Sequence, residues 1–366
     1  MGGPAATSDD AQMRDDTQQE SALPPHIMEQ MNGTRETLSS ARKARKVPPG
    51  YVTADALKSF GPKHTIPSLH ASSPAGITSL ALSHLNPSQF LTGGNDKIVQ
   101  LYDRSTDKVL ASLKGHTKKV NHVAFREREN DPTLLLSGGA DKIAKMWSFD
   151  SSSHDYIPRS TIRTHKGEIT GVAVHPTNTV AILSSLDHTY SVHDLSNFTQ
   201  VFQSIPSDEP FTSLSVHPDG TFLALGTPTS KLQIYDARMC SVAATLVPPD
   251  STPFAVTTSC FSENGYQLIA PNSLSSVAIW DLRKQESVRT ISLGDSFKIN
   301  KVLYDVSAQY IGIAGNEGVA VFARKSWNEL VRFEQGGEVS DLAFGPEGKE
   351  IWGVSGRDIR IWGSSE

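Results

Sequence analysis

The chain repeats one strand-like pattern seven times, and this repeat limits the folds that it can adopt. Each copy ends in a run of five residues in which apolar side chains alternate with polar or small ones. The last residues of successive runs lie 40 to 46 positions apart; the runs cover residues 99–103, 144–148, 190–194, 232–236, 277–281, 319–323 and 359–363. A period of two residues indicates β-strands, and a regular spacing of this size indicates an array of similar units. The sequence therefore predicts an all-β domain.

Residues 113–148 form the most complete copy. The copy opens with Gly115-His116, places Asp141 at a turn and closes with Trp147, which is the signature of a propeller blade. This unit resembles a WD repeat. We therefore predict a seven-bladed WD40 β-propeller over residues 65–364, preceded by a disordered N-terminal segment. The last run ends at residue 363, so residues 65–70 are expected to supply its outer strand and to leave only short edges unpaired.

Two segments precede the predicted propeller. Residues 1–50 are poor in large apolar side chains and are expected to be a disordered N-terminal segment with a basic linker, and residues 51–64 are expected to be an ordered lead-in. Ile27, Met31 and Leu38 have helical spacing, but three apolar positions are too few to predict a helix. The linker holds a basic cluster that is either a nuclear-import signal or anion contact, or a solvated linker; its members are Arg42, Lys43, Arg45 and Lys46.

The composition limits the function classes. A net charge of −5 gives no indication of binding to nucleic acid or to a membrane surface. The two cysteines, Cys240 and Cys260, exclude a disulfide framework and favour a reducing compartment, the nucleus or the cytosol. The sequence shows neither a secretory signal nor an apolar run of membrane-spanning length. Since no metal-ligand spacing, phosphate loop or nucleophile elbow is recognisable, we predict no metal site, no cofactor and no catalytic residue.

One group of side chains invites a catalytic interpretation. His116, Ser137 and Asp141 have the residue types of a catalytic triad, yet WD repeats hold such residues, with a Trp such as Trp147, in a hydrogen-bonded structural set. We predict the structural role, because buried polar atoms need partners. The other repeats keep only part of the set: Thr92, Asp96 and a distant His70 in the first, and His165, Asp187 and His193 in the third; Thr229 and Leu274 replace the Asp in the fourth and fifth.

Lys118 and Lys119 form a basic pair on the loop between the first two repeats. Such loops lie on one rim of a propeller, where peptides commonly bind. The pair is therefore a candidate partner-binding rim, and the alternative is a solvated pair of charges.

Several strings resemble the pre-mRNA-processing factor 19 family more closely than they resemble WD repeats in general. The strings are LKGHTKKV at 113–120, FSENGY at 261–266, IWDLRK at 279–284 and the lead-in RKARKVP at 42–48, which Ala54, Asp55 and Leu57 follow. The resemblance runs from about residue 40 to residue 362. It implies a nuclear splicing scaffold whose members carry a U-box, a tetrameric coiled coil and a partner-binding propeller, and act in ubiquitination and DNA repair. Only about forty residues precede the match, so we expect neither the U-box nor ligase activity from this chain alone.

These observations predict a non-catalytic protein-interaction propeller in the nucleus. Its expected partners are proteins of a splicing-associated complex and, through the family resemblance, ubiquitination substrates. The main alternative is a WD-repeat scaffold or adaptor outside the spliceosome. An enzyme built on a propeller is less favoured because no acid, base or nucleophile stands apart from the structural set. Direct nucleic-acid binding is also less favoured, because the chain has a negative net charge and no continuous basic stripe.

Overall fold

Seven four-stranded antiparallel sheets make up most of the chain in a computed structural model that describes residues 22–248, 253–334 and 337–364. The innermost strands of successive sheets are neighbours, and the innermost strand of the seventh sheet contacts that of the first. The sheets therefore close into a ring around a central channel. The seven-bladed WD propeller that the repeats predict is confirmed.

The strands of the first three blades follow the chain order from the channel outwards. Blade 1 comprises β2 (Ile77–Leu82), β3 (Gln89–Gly94), β4 (Val99–Asp103) and β5 (Lys108–Leu113). Blade 2 comprises β6 (Val120–Arg126), β7 (Leu134–Gly139), β8 (Ala144–Asp150) and β9 (Asp155–Ile162). Blade 3 comprises β10 (Ile169–Val174), β11 (Val180–Ser185), β12 (Tyr190–Asp194) and β13 (Thr199–Gln203).

The next three blades have the same order. Blade 4 comprises β14 (Ser213–Val216), β15 (Phe222–Gly226), β16 (Leu232–Asp236) and β17 (Ser241–Leu246). Blade 5 comprises β18 (Cys260–Phe261), β19 (Gln267–Pro271), β20 (Ser276–Asp281) and β21 (Glu286–Ser292). Blade 6 comprises β22 (Ile299–Tyr304), β23 (Tyr310–Gly315), β24 (Gly318–Ala323) and β25 (Glu329–Phe333).

Blade 7 joins the two ends of the propeller. Its inner strands are β26 (Asp341–Phe344), β27 (Glu350–Ser355) and β28 (Asp358–Gly363), and its outer strand is β1 (Gly61–Ile66). The outer strand is borrowed from the N-terminal side, as expected, but the prediction that residues 65–70 form it was wrong by four residues. Pro67 cannot donate to a strand ladder and Ser68 has a left-handed φ of 58°, so the strand ends at Ile66.

The blade topology gives the propeller two distinct faces. In each antiparallel blade, the turns after the first and third strands lie at one end, which we name the lower face. The turns after the second strands and the connections between blades lie at the other end, which we name the upper face. Lys118 and Lys119 precede β6 and therefore lie on the upper face.

The inner strands are tied to one another by a ring of side-chain hydrogen bonds. At the upper end of each inner strand, within the strand or just before it, a Thr, Asn or Ser follows an apolar residue. Six of these polar side chains donate to a backbone carbonyl of the next blade: Thr78 to Val120, Asn121 to Ile169, Thr170 to Phe211, Thr212 to Val256, Asn300 to Val339 and Ser340 to Ile77. The last bond crosses from blade 7 to blade 1, so the ring supports closure as well as the packing of successive blades.

The described residues before the propeller contain two helices, so the prediction of disorder is corrected for residues 25–44. A helix of 20 residues, α1 (Pro25–Ala44), is followed by a short helix, α2 (Ala54–Lys58). Leu23, Ile27 and Met31 are buried against blades 3 and 4, so the propeller supplies the apolar contacts that the segment lacks by itself. Residues 1–21 lie outside the described part of the chain. Neither α1 nor α2 is long and apolar enough to span a membrane.

Candidate interaction surfaces

His116, Ser137 and Asp141 are brought together at the upper end of blade 2. The His116 ring nitrogens lie 2.7 Å from Ser137 Oγ and 3.0 Å from both Asp141 carboxylate oxygens. Trp147 packs edge-on against the imidazole, with 6.3 Å between ring centroids. Ser137 is fully buried in this set. Since a nucleophile must reach its substrate, the arrangement acts as a clamp between a loop, a strand and a turn.

Two further blades repeat this clamp. In blade 1, His70 lies 2.8 Å from Asp96 and 2.8 Å from Thr92, so the loop after β1 supplies the histidine. In blade 3, His165 lies 3.0 Å from Asp187 and 2.8 Å from Ser191, which comes from β12 rather than β11. There His193 takes the Trp position and reaches Ser191 at 2.8 Å. Three buried copies with different residues are expected of a structural device.

The electrostatics of the clamps depend on burial. Burial lowers the pKa of His116 and of His165 despite the carboxylate beside each ring. Burial alone would raise the pKa of Asp141, but hydrogen bonds from the Thr117 amide and from His116 lower it overall. The clamps of blades 2 and 3 therefore pair a neutral imidazole with a carboxylate near neutral pH.

Acid is expected to destabilise the propeller through buried histidines. Burial holds the pKa of His175 and of His193 at about 4 in the folded chain, below the roughly 6.5 of an unfolded histidine. The unfolded state takes up these protons first, so stability is complete above pH ~6.5 and falls as the pH drops toward 4. We expect a loss of roughly 2 kcal/mol per histidine between about pH 7 and pH 5, measured by urea unfolding.

A matched pair of variants tests the origin of this pH dependence. His193→Gln should unfold with a smaller pH slope than the unmodified chain, because one buried titrating group is gone. His84→Gln makes the same replacement at an exposed position and serves as the matched control. Equal slopes in all three proteins would contradict the assignment.

The upper end of the channel opens into a polar cavity of about 640 Å³. We name it the upper channel mouth; its lining includes Thr78, Lys119, Asn121, Glu168, Thr170, Thr212, Thr257, Glu338 and Ser340. Asn121 Nδ2 donates to Glu168 Oε1 at 2.6 Å, and Asn300 Nδ2 donates to Glu338 Oε1 at 3.0 Å. The mouth therefore presents hydroxyls, amides and two carboxylates held in place by neighbouring blades.

The two lysines predicted as a rim differ in their positions. Lys119 lines the upper channel mouth, where its Nζ lies 3.6 Å from Glu168 Oε1. Lys118 is exposed beside the mouth and is not part of its lining. His122 also lines the mouth and lies near the Lys301–Asp341 ion pair, whose nitrogen and oxygen are 3.1 Å apart. Burial first, and then Lys301, lowers the pKa of His122 to about 4, so its imidazole is neutral at neutral pH.

The basic cluster of the linker is divided by the fold. Arg42 forms a bidentate ion pair with Asp219, and its side chain is 13% exposed. Arg45 pairs with Glu263 at 2.9 Å. Lys43 and Lys46 are exposed. Two of the four charges are therefore used within the molecule, which is neither of the two roles considered from the sequence.

Sequence reasoning missed two features of these surfaces. The hydrogen-bonding ring at the channel had a signal in the sequence: an apolar residue followed by Thr, Asn or Ser, at the start of each inner strand or just before it. The surface of the lower face on which α1 packs had no signal beyond the spacing of Ile27, Met31 and Leu38, because the partners of α1 are distributed over four blades. Among the described residues, no cluster of three or more His, Cys, Asp or Glu side chains could hold a metal ion.

The comparisons with known proteins agree with the fold. The model of the WD domain, G-beta repeat, matches residues 107–148 and 157–194. Pre-mRNA-processing factor 19 of Oryza sativa subsp. japonica is 33% identical over 351 residues, which are 93% of this chain and 64% of that protein. The homolog 2 protein of Arabidopsis thaliana is 31% identical over 347 residues (92% and 63%), and the Mus musculus protein 32% over 335 residues (90% and 64%).

The chain spans less than two thirds of the length of these relatives. Within that span the similarity covers nine tenths of the chain or more, including the propeller and its lead-in. The family resemblance read from the short strings is thereby confirmed: the chain carries a WD-repeat propeller of the pre-mRNA-processing factor 19 family.

Proposed function

We propose that this chain is a non-catalytic protein-interaction propeller that docks partner proteins in a nuclear complex for pre-mRNA splicing. The observation that carries the proposal is the similarity to pre-mRNA-processing factor 19 over 93% of the chain. The name of these relatives indicates pre-mRNA processing, which takes place in the nucleus. The family resemblance extends the proposal to ubiquitination substrates and to DNA-repair partners as proteins that the same propeller would bind.

The upper channel mouth is the surface that we propose for docking. It is concave, and its donors and acceptors are fixed by the inter-blade ring, so little ordering entropy is lost when a partner binds. Lys119, Glu168 and Glu338 give it charges of both signs. Such a surface suits a polar loop of a partner protein, in which a few anchoring side chains supply most of the binding energy.

Reversing two charges of the mouth should weaken partner recovery. The assay is a pull-down from nuclear extract with the tagged full chain. The double variant Lys119→Glu, Glu338→Lys should recover about tenfold less of the splicing proteins, because like charges that face each other across an interface cost roughly 1–3 kcal/mol. Lys108→Glu, an exposed change on β5, should recover as much as the unmodified chain. Proteins are read by mass spectrometry and small nuclear RNAs by blot.

Two results would overturn parts of the proposal. Recovery of a clean but unrelated complex by the unmodified chain would contradict the splicing assignment and favour an adaptor outside the spliceosome. Recovery of splicing proteins that the double variant leaves unchanged would contradict the upper channel mouth as the docking surface.

A further inference from the structure

The lower face of blades 3 and 4 forms an apolar seat for α1. Leu23, Ile27 and Met31 are at most 3% exposed. They belong to one apolar cluster with side chains of two blades; among these are Val180, Leu223, Tyr235, Ala237 and Cys240. The spacing of four residues places Ile27 and Met31 on one stripe of α1, and Leu23 packs beside them from the residues just before the helix. The seat therefore accommodates a helix that has apolar side chains four residues apart.

A polar seat continues the surface across blades 4 and 5. The Arg42 guanidinium forms a bidentate ion pair with Asp219. It also donates to the Asn264 carbonyl at 2.7 Å and lies 5.1 Å from the centre of the Tyr266 ring. Asp219 is 4% exposed. A Cβ on Gly265 would lie 2.0 Å from Arg42 Nη1, so the turn leaves room for an arginine. We name the apolar and polar seats together the lower groove.

The last contacts of the helix extend the lower groove to blade 6. Arg45 Nη1 lies 2.9 Å from Glu263 Oε2, and Arg45 Nη2 donates to the Val306 carbonyl at 2.6 Å. At the other end, His26 lies 3.5 Å from Asp194. The propeller thus contributes Asp194, Asp219 and Glu263, and the helix contributes the arginines. This charge complementarity selects a basic helix rather than an acidic one.

The helix is weak by itself. Gly33 stands in the middle of α1 with no neighbour within 4 Å of an added Cβ, and glycine costs about 1 kcal/mol in a helix interior. No side chain caps its N-terminus, although such a cap stabilises a helix by about 1 kcal/mol. Its contacts with the propeller are the stripe near its start, the arginines near its end, and two side chains between them: Gln30 accepts from Thr179 at 2.6 Å and Asn32 accepts from Arg238 at 3.1 Å. Its order therefore depends on docking, as for a segment that folds when it binds.

We propose that the lower groove is a docking site for an amphipathic basic helix of a partner protein, and that α1 occupies it as an intramolecular competitor. The partner helix has apolar side chains four residues apart and an arginine about three turns further along. This surface is separate from the upper channel mouth, on the opposite face. Because α1 is tethered, its effective concentration is on the order of millimolar, and a partner must displace it.

The test uses the full chain and a fluorescein-labelled peptide of residues 22–48 as the probe, with fluorescence anisotropy as the readout. The unmodified chain should bind the probe weakly, because α1 fills the groove. The double variant Ile27→Asp, Arg42→Glu releases α1 and should bind at least about tenfold more tightly, as expected when a tethered competitor is removed. Adding Asp219→Ala to that variant should reverse the gain. The control variant Lys43→Ala changes an exposed residue of α1 and should behave as the unmodified chain.

Equal probe affinity for the unmodified chain and the double variant would overturn the proposal, as would no binding by a double variant that keeps its melting temperature. Sedimentation of the unmodified chain provides a further check, because a dimer formed by exchange of α1 would make a second copy the occupant and contradict the partner assignment. Hydrogen exchange supplies a measurement without mutation. Amides of α1 should exchange faster than those of β11 and β15; exchange only through global unfolding would contradict a displaceable helix.

Discussion

Replacing Glu350 with alanine is expected to lower the free energy of unfolding by about 3 kcal/mol, because this carboxylate holds the ring closure together. Arg104, from blade 1, donates to its two oxygens at 2.7 and 3.0 Å, and Lys63, from β1, donates at 3.1 Å. The indole of Trp352 donates at 3.1 Å. One side chain thus connects the first blade, the last blade and the borrowed strand.

The size of this effect follows from burial. The Glu350 side chain is 11% exposed, while the side chains of Arg104 and Lys63 are each about one third exposed. Breaking a fully buried pair costs roughly 3–5 kcal/mol, and partial hydration of the two cations reduces the loss to the lower end. Burial alone would raise the pKa of Glu350, but the hydrogen bonds from Arg104 and Lys63 lower it overall, so the carboxylate is charged at neutral pH.

Unfolding of the full chain in guanidinium chloride measures how far Glu350→Ala lowers the free energy of unfolding. Glu286→Ala removes an exposed carboxylate at the start of β21 and should change stability by less than about 0.5 kcal/mol. Amides of β1 should also lose protection from hydrogen exchange selectively in Glu350→Ala. An unfolding midpoint equal to that of Glu286→Ala would contradict the role of Glu350 in closure.

Replacing His116 with alanine is expected to cost about 3–4 kcal/mol, the larger effect of the two, because it opens a buried site and leaves polar atoms unpaired. The His116 side chain is fully buried, and Asp141 beside it is 2% exposed. Without the imidazole, Ser137 loses a partner at 2.7 Å. Asp141 keeps the amides of Thr117 and Ile143, so part of the turn survives.

Thermal and urea unfolding of His116→Ala test whether the Ser-His-Asp set of blade 2 is structural. His84→Ala, an exposed replacement, provides the baseline and should unfold with the unmodified chain. Ser137→Ala should lose less stability than His116→Ala, since one hydrogen bond is worth roughly 1 kcal/mol. Loss of a biochemical activity with unchanged melting in His116→Ala would instead favour a catalytic role.

The repeat by itself determined the architecture. Alternating apolar residues at a spacing of 40 to 46 positions fix where strands begin and end, and a blade is too small to bury its faces alone. The sequence also indicated the clamp residues of blade 2 and the distant His70 of blade 1, because a loop histidine and a turn Asp recur in the first three copies. These features are local or periodic, which is why one sequence suffices to find them.

The borrowed strand could be predicted only in outline. Its residues Pro62–Thr65 are exposed, so no apolar alternation marks them in the sequence. Their register is set by β28, with Thr65 opposite Arg360 and Ile66 opposite Ile359. Pro67 and Ser68 end the strand and turn the chain away from β28. A strand that is defined by its partner's backbone carries little signal of its own.

The helix at residues 25–44 forms through tertiary contacts that the sequence does not indicate. Its composition predicts disorder, and only Ile27, Met31 and Leu38 have the spacing of a helix face. The folded propeller supplies the rest: an apolar seat from blades 3 and 4, Asp219 and Asn264 from two further turns, and Glu263 beside Arg45. These partners lie 177 to 222 residues away from the arginines that they hold. Contacts over such separations exist only after the ring has closed, because the closed ring places the turns of successive blades side by side.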